Sequence, residues 1–494
     1  MTDDNKRNQP IARLPKGFRD TFGASVIARQ RMINTIREVY ERYGFAPLET
    51  SSVEYVDALG KYLPESDTAE AGIFSFRDED NNLMALRYDL TAPLSRVFSQ
   101  NRNSLPLPFR RYQVGLVWRN EKPGPDRFRE FYQFDIDTVG TASMAADAEV
   151  CCVVADALEA LGIGRGQYVV RINNRKALNG VLEVIGLPSD ENTSLTVLRA
   201  IDKLDRLGLE GVKQLLGKGR VDESGDFTKG AGLTEEQSQR IINLLSVKED
   251  SRPKACDSLE AIVRGSSVGE EGVAELREID KFLRAIGYDE DRIIFDPTVV
   301  RGLAYYTGPV FEAALTFEVA DEVGQKRQFG SVAGGGRYDY LVERFTGEKI
   351  PATGFSIGVD RLLAALAALK SDPETALSAP VVVTVMDRDR VLDYQKITFD
   401  LRQALIPAEM YLGSGSFREQ LRYADQRGAV AVVIAGSREF EAGQISIKDL
   451  RLGRELSKQI AERDEWLKDQ PAQLTVPLAD IVLEVKAILN RYSR

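Results

Sequence analysis

Between Arg29 and Tyr43 the apolar residues Met32, Ile36, Val39, Tyr40 and Tyr43 recur at helical spacing, and Gly44 stands where a left-handed cap would end the helix. The segment FAPLETSSVEY that follows reads as a strand leaving that helix. Further strands are predicted through 83–88, 112–120 and 128–139. The last two are joined by EKPGPDR, a charged loop with glycine and proline, which predicts an antiparallel hairpin. A long helical pattern covers about 142–161.

From about 190 to 292 the chain is rich in Leu, Glu, Lys and Arg at helical spacing, with a weakly ordered connector near VDESGDFTKG. Strand-like and glycine-rich segments then return: VVRGLAYYTGPVFEAALTFEV, FGSVAGGGRYDYL and TGFSIGVDRLLAALAAL. A β-rich domain is therefore interrupted by helices and completed after them. KSDPETALSAP reads as a linker. Beyond it VVVTVM, AEMYL and AVAVVIAG alternate with helices, the β-α-β-α-β pattern of an α/β domain with a largely parallel sheet. The predicted organisation is a flexible N-terminus (1–13), a β-rich domain in two pieces (14–189 and 293–369), a helical insertion (190–292), a linker (370–380) and a C-terminal α/β domain (381–494).

Composition narrows the class. At 494 residues, 43% of them hydrophobic and 28% charged, the chain can build several cores. It has no apolar run of the roughly 18–20 residues a membrane helix needs, and MTDDNKRNQP lacks the apolar core of a secretory signal, so a soluble cytoplasmic protein is expected. A net charge of -10 argues against a chain that coats nucleic acid or anionic membrane everywhere, while leaving room for a local basic patch. The three cysteines, Cys151, Cys152 and Cys256, suit neither a disulfide framework nor a zinc site. Histidine is absent altogether, where ordinary usage gives roughly ten. That removes Ser-His-Asp and Cys-His systems, imidazole bases and His-rich zinc sites, and leaves carboxylates, Arg, Lys, Tyr, backbone amides and oxygen-bound metals.

Two nucleotide signatures fail. GVKQLLGKG has one residue too many for a phosphate-binding loop and ends in Gly, and no GxGxxG follows a strand. WRNEKPGPDRFREFYQFDID is richer, placing Arg119, Glu121, Arg127, Arg129, Glu130, Asp135 and Asp137 on one hairpin. On a strand, Arg127, Arg129, Phe131, Gln133, Asp135 and Asp137 share a face. Such a row is either a solvated hairpin face or a polyanion site, because arginine forks fit phosphate oxygens and an aromatic ring stacks on a base. RGLAYYTGPVFE places Arg301 near Tyr305 and Tyr306, as a packed strand or as a site lining. Gly334–Gly336 allow close backbone approach to a ligand or form a tight turn. Arg361, in the first turn of a helix, opposes the dipole, so it points outward or meets an anion.

In this order, these segments resemble a class II aminoacyl-tRNA synthetase, and specifically the histidyl-tRNA synthetases. The helix and strand around 29–55 match the family's first motif, WRNEKPGPDRFREF the second and GFSIGVDRL the third. RGLAYYTGPVFE and AGGGRYD are similar to two segments peculiar to the histidine enzymes; PKGFRD and LRYDLTAP also fit. The region 381–494, with LRYADQRGAVAVVIAG and ISIKDL, resembles their anticodon-binding domain. The resemblance implies a fold class of α/β (α+β) type: an antiparallel-sheet catalytic domain with a helical insertion, plus a C-terminal α/β anticodon-binding domain.

It also implies an ATP-dependent ligase that converts histidine to histidyl-adenylate and passes it to the 3′ end of tRNA(His). Arg119 would hold the α-phosphate, Arg127 and Arg361 the β- and γ-phosphates, Phe131 would stack on adenine with Arg361 on its other face, and Glu121 would contact the adenine side. Arg301 corresponds to the catalytic arginine near the α-phosphate, acting with Arg119. Asp89, Thr91 and Gln133 match residues that hold the α-ammonium and carboxylate; Asp137, Tyr306 and Tyr338, with Tyr305 beside them, match the imidazole pocket. The implied cofactor is Mg2+, bound mainly through ATP phosphates and not through His or Cys. The implied partners are ATP, L-histidine, tRNA(His) and a second copy in a homodimer, with no membrane. Ser51, Asp126 and Ala304 stand where the pattern has proline, glycine and an acidic residue. The alternative within the resemblance is a catalytically impaired paralogue serving as a regulatory or nucleic-acid-binding subunit. A histidine-charging enzyme without histidine codons could also be made during histidine starvation, an expectation set against a merely biased composition.

Overall fold

The computed structural model describes residues 10–59, 72–124, 128–187, 191–221, 225–300, 302, 306–320, 326–369, 379–457 and 472–492. The chain forms two compact units, one of Met1–Thr21 with Ala28–Ser371 and the other of Phe22–Ile27 with Asp372–Arg494.

The first unit holds α1 (Gly23–Arg42) from Ala28 onward, and this helix buries Met32, Ile33, Ile36, Val39 and Tyr40. It ends as its pattern predicts: Gly44 takes φ +78°, and Phe45 N donates to Tyr40 O at 3.2 Å. The predicted strand after it splits in two. Ala46–Pro47 (β1) joins the edge of the main sheet, while Val53–Tyr55 pairs with Leu83–Leu86 in a separate three-stranded sheet. Ser51 opens the second piece, its Oγ donating to Val53 O at 2.7 Å.

The main sheet adds β2 (Phe109–Trp118), β3 (Glu130–Val139), β4 (Tyr168–Asn174), β5 (Ile293–Phe295), β6 (Pro309–Ala320), β7 (Lys326–Arg337) and β8 (Ala352–Gly358). Their order is β1-β2-β3-β8-β7-β6-β4-β5. Only the two outer pairs, β1 with β2 and β4 with β5, are parallel. The chain thus builds one half of the sheet, leaves for the helical segment and returns to fill the centre with β6, β7 and β8. The predicted hairpin is β2–β3, in antiparallel register from Phe109 opposite Val139 to Trp118 opposite Glu130.

One face of the sheet is apolar. Phe134 and Ile136 of β3, Phe311 of β6, Ile172 of β4 and Phe355 and Ile357 of β8 lie in one core with α1 and α3 (Met144–Ala160). Ser143 caps α3 by accepting from Ala145 N at 3.3 Å, and Cys151 and Cys152 are wholly buried in it. The segment from Glu191 carries α5 (Glu191–Ile201), α6 (Leu204–Leu216), α7 (Glu235–Leu245), α8 (Arg252–Val263) and α9 (Ser267–Ala285), after a preceding α4 (Arg175–Val184). The failed phosphate-loop segment falls in α6 and the turn after it. The polar connector is more ordered than expected where it is described: Gly219–Val221 and Phe227–Lys229 pair antiparallel, because a short run with Thr and Phe gains a ladder there. Arg252 staples the helices to the sheet edge. Its fully buried guanidinium donates to Asp280 Oδ1 (2.7 Å), Ile293 O (2.7 Å) and Tyr288 O (2.9 Å).

In the second unit β9 (Val381–Val383), β10 (Ala408–Met410), β11 (Ala431–Ile434), β12 (Gln444–Asp449) and β13 (Gln473–Pro477) run in the order β10-β9-β11-β12-β13. The first three are parallel, as the β-α-β-α-β pattern predicts, and β12 and β13 are antiparallel. The nine residues between β11 and β12 are too few for a parallel crossover, which needs about a dozen. The helices α11 (Val391–Gln403) and α12 (Phe417–Gln426) follow β9 and β10. No helix among the described residues is long and apolar enough to cross a membrane.

Candidate active site

Residues directly opposite across a ladder point to the same side of a sheet, so register decides what shares a face. On β3, Phe131, Gln133, Asp135 and Asp137 form one row, as the alternation predicts. Arg111, Gln113 and Gly115 of β2 face Asp137, Asp135 and Gln133 from one side; Gly354, Ser356 and Gly358 of β8 face them from the other. Gly334 and Gly336 of β7 continue that face, and Glu312 of β6 lies beyond. The polar face thus has carboxylates and amides on β3 and a low glycine floor beside them.

Arg119 follows β2, half-buried. Its guanidinium lies 4.3 Å from the Tyr88 ring centre and 5.2 Å from that of Phe131, and Nε donates to Tyr88 O at 3.4 Å. Tyr88 donates its hydroxyl to Glu121 Oε1 at 2.7 Å, and burial raises the phenol's pKa. Arg119, Glu121 and Phe131 are thus gathered at one end of the row by a tyrosine to which sequence reasoning gave no role. Arg129 leaves the row: its Nε donates to Glu121 O at 2.9 Å and its backbone N to Gly17 O at 2.9 Å, so it braces the hairpin against PKGFRD.

At the other end, Tyr338 follows β7, is 2% exposed, and donates its hydroxyl to Asp137 Oδ1. Asp137 Oδ2 lies 2.7 Å from Arg111 Nη2. Gly354 makes room for this carboxylate, since a Cβ there would stand 2.0 Å from Asp137 Oδ1. Tyr306 lies against the floor, where a Cβ on Gly336 would come within 2.7 Å of its ring. Tyr306 and Tyr338 share an apolar cluster with Leu94 and Phe98 of α2 (Thr91–Asn101). Asp89 precedes α2 and accepts from Thr91 N (3.1 Å) and Ala92 N (2.9 Å), which fixes the turn that carries Thr91. Burial raises the pKa of Asp135 and Asp137; Arg111 is the largest influence opposing it at both. Gln133 Oε1 is buried with no hydrogen-bond partner among the described residues.

Arg361 lies exposed in the first turn of α10 (Val359–Leu369), with Nη2 donating to Phe329 O at 3.2 Å. Over Phe131 the cation found is Arg119. The preceding Asp360 accepts from Tyr132 N at 2.8 Å, taking the place of a strand carbonyl where β8 turns into α10, and pairs with Arg19. Arg127, Asp126, Arg301, Ala304 and Tyr305 lie outside the described residues. Among the described residues no cluster of three Cys, Asp or Glu side chains is placed to hold a metal ion.

Sequence reasoning also passed over Arg111, which the predicted strand, begun at Tyr112, left out by one residue. The signal available was alternation: extended back, that strand puts Arg111 and Gln113 on one face.

The sequence profile described as Histidyl-tRNA synthetase matches residues 17–362, and one described as Anticodon binding domain matches 380–470. A curated relative from Cereibacter sphaeroides, "Histidine--tRNA ligase", is 56% identical over 497 residues, covering 99% of this chain and 100% of that protein. One of the same name from Dinoroseobacter shibae is 57% identical over 498 residues, with the same coverage. A crystal structure of histidyl-tRNA synthetase from Nostoc sp. superposes with a TM-score of 0.71 at 31% identity, covering 97% of this chain and 100% of that one. A polar sheet face between an arginine-bearing hairpin and a tyrosine-held carboxylate, on a chain so matched from end to end, belongs to the histidyl-tRNA synthetase family of class II aminoacyl-tRNA synthetases.

Proposed function

We propose that this chain is an ATP-dependent histidine-tRNA ligase whose chemistry runs along the polar row of β3. ATP enters as its magnesium complex at the Arg119 end, its metal held mainly by the phosphates. A hard cation of this kind takes few protein ligands when substrate phosphates supply its oxygens. Phe131 stacks on adenine, Glu121 contacts its edge, and Arg119 receives the α-phosphate, with Arg301 as the second cation there. Arg127 and Arg361 grip the outer phosphates, Arg361 swinging from its exposed position.

Histidine lies across Gln133 to Asp137. Asp89, Thr91 and Gln133 hold its α-ammonium and carboxylate. Asp137 accepts an imidazole N–H on Oδ2, which is ion-paired with Arg111 and accepts no hydrogen bond among the described residues, while Oδ1 keeps its bond from Tyr338. Tyr306, with Tyr305 beside it, donates to the other ring nitrogen. The substrate carboxylate attacks the α-phosphorus, the bond to the bridging oxygen breaks, and pyrophosphate leaves. No protein base is needed, because the nucleophile is already ionised. The terminal adenosine 3′-hydroxyl then attacks the acyl carbon and AMP departs. The helical segment 190–292 clasps the acceptor arm, the domain 381–494 reads the anticodon, and the first motif, 29–55, builds a homodimer in the cytoplasm.

The observation that carries this reading is the convergence on one sheet face of Arg119 over Phe131 at one end and Asp137 held by Tyr338 at the other. The test is histidine-dependent ATP–pyrophosphate exchange by the purified chain. Exchange with histidine alone among the amino acids, lost in Arg301→Ala, is expected. Its absence in a folded protein refutes an active ligase and favours the regulatory paralogue.

A further inference from the structure

Arg111 is one of the two largest fully buried side chains among the described residues, 0% exposed, and it lies on the polar face of the sheet. Its Nη2 makes two contacts. One is Asp137 Oδ2 at 2.7 Å; the other is the carbonyl of Leu90 at 3.0 Å, which sits between Asp89 and Thr91. Its Nε and Nη1 have no hydrogen-bond partner among the described residues. A buried cation with donors unmet is costly, and an apolar side chain of similar volume is often the more stable choice at such a place. What the guanidinium adds is a link. The carboxylate that takes the imidazole and the turn that takes the α-ammonium meet on one nitrogen.

We propose that Arg111 is a positioning residue for the amino acid, holding the Asp137 carboxylate and the Asp89–Thr91 turn in fixed relation and so setting the spacing between the two ends of bound histidine. This rests on the proposed roles of Asp89, Thr91 and Asp137. Arg111 is also the largest influence opposing the burial of Asp135, which repels Asp137, while Arg87 acts on Asp135 from the other element. The ATP end of the row, gathered by Arg119 and Tyr88, has no contact with Arg111 among the described hydrogen bonds and ion pairs. The two substrates therefore depend on different supports.

The experiment is steady-state ATP–pyrophosphate exchange on the full chain with Arg111→Met, Arg111→Lys and Asp137→Asn beside the unaltered protein, with melting temperatures measured in parallel. Arg111→Met is expected to raise KM for histidine roughly 10- to 100-fold, the loss that follows from misplacing binding groups by about an ångström, with KM for ATP within about two-fold. Arg111→Lys, which keeps the charge without the fork, recovers part of that loss. Unchanged histidine KM in either folded variant, or equal rises for histidine and ATP, overturns the proposal. Failure of both variants to fold assigns Arg111 to stability alone and overturns it too. Asp137→Asn separates the layers: if it leaves histidine KM unchanged, the Asp137 reading fails and takes this one with it. If it raises KM while neither Arg111 variant does, only the present proposal falls.

Discussion

Replacing Gly354 by alanine tests the geometry of the histidine end with one methyl group. The added Cβ would lie 2.0 Å from Asp137 Oδ1, 2.7 Å from its Cγ and 2.7 Å from Ile136 O, where ordinary contact begins at 3.4 Å. The carboxylate must therefore retreat by 3.4 less 2.0 Å, about 1.4 Å, and the strand cannot yield for it, because β8 is laddered to both β3 and β7. Such a displacement breaks the bond from Tyr338 or the pair with Arg111. The expected cost is about 1–3 kcal/mol in stability, as for other overpacked interiors. In catalysis about 100-fold is expected in kcat/KM for histidine, equivalent to about 2.7 kcal/mol, with KM for ATP little changed. The assay is ATP–pyrophosphate exchange at saturating ATP with histidine varied, and a urea melt beside it. Gly164→Ala is the matched control, because its Cβ would meet only Gln167 Oε1 at 3.6 Å, away from the site. A Gly354→Ala enzyme with a histidine KM within about two-fold of the parent would refute the reasoning, since the carboxylate cannot both move that far and bind as before.

Other expectations follow from the same structure. Leu405 closes α11 at φ +61° with its side chain 92% exposed, so Leu405→Gly removes strain without losing packing. It should stabilise that turn by about 1 kcal/mol, read as slower hydrogen exchange across 391–410. All three cysteines are buried, and burial pushes the thiols of Cys152 and Cys256 up to about 12. Iodoacetamide at pH 8 should leave the native protein unlabelled and add three groups in guanidinium, and rapid native labelling would contradict it. Arg252→Met, which removes Asp280's buried partner and leaves it the exposed Arg284, should cost about 1–3 kcal/mol in urea unfolding; a change under about 0.5 kcal/mol would show that the staple carries no load. Synthesis of this chain should persist under histidine depletion while histidine-containing proteins fall, checked by pulse labelling.

The parts of the site that were legible in advance are those that period-two alternation and motif order describe. The row from Phe131 to Asp137, the hairpin that carries it, and the strand-to-helix turn before Arg361 all follow from local pattern, because a strand shows its faces in its own sequence. What stayed hidden depends on partners distant along the chain. Arg111 acquires meaning only when β2 is laid in register against β3, and Tyr88 only when its hydroxyl is found on Glu121, 33 positions away. The interior position of β6 to β8 depends on a crossover after the helical segment, which no window of sequence contains. The antiparallel end of the C-terminal sheet is hidden for a simpler reason: the β-α alternation that predicts a largely parallel sheet stops at β11.

The absence of histidine finds its physical sense at this site. Adenylate formation by the proposed route needs an ionised substrate carboxylate, cations around the phosphates and a rigid polar frame, and none of these is a task that imidazole performs better than Arg, Asp or Tyr. An imidazole in the wall would bring ambiguity, since its own protonation changes near neutral pH, where the substrate ring titrates as well. In the proposed pocket Asp137 accepts and Tyr306 donates, and Arg111 opposes the rise that burial gives the Asp137 carboxyl. Selection then rests on the substrate's ring alone. Side chains that lack either ring nitrogen leave a donor or acceptor of the proposed pocket short of one hydrogen bond, a penalty of about 1–3 kcal/mol for each group left unmet. In the proposed reading, the frame that removes any need for histidine in the protein is the one that recognises it in the substrate.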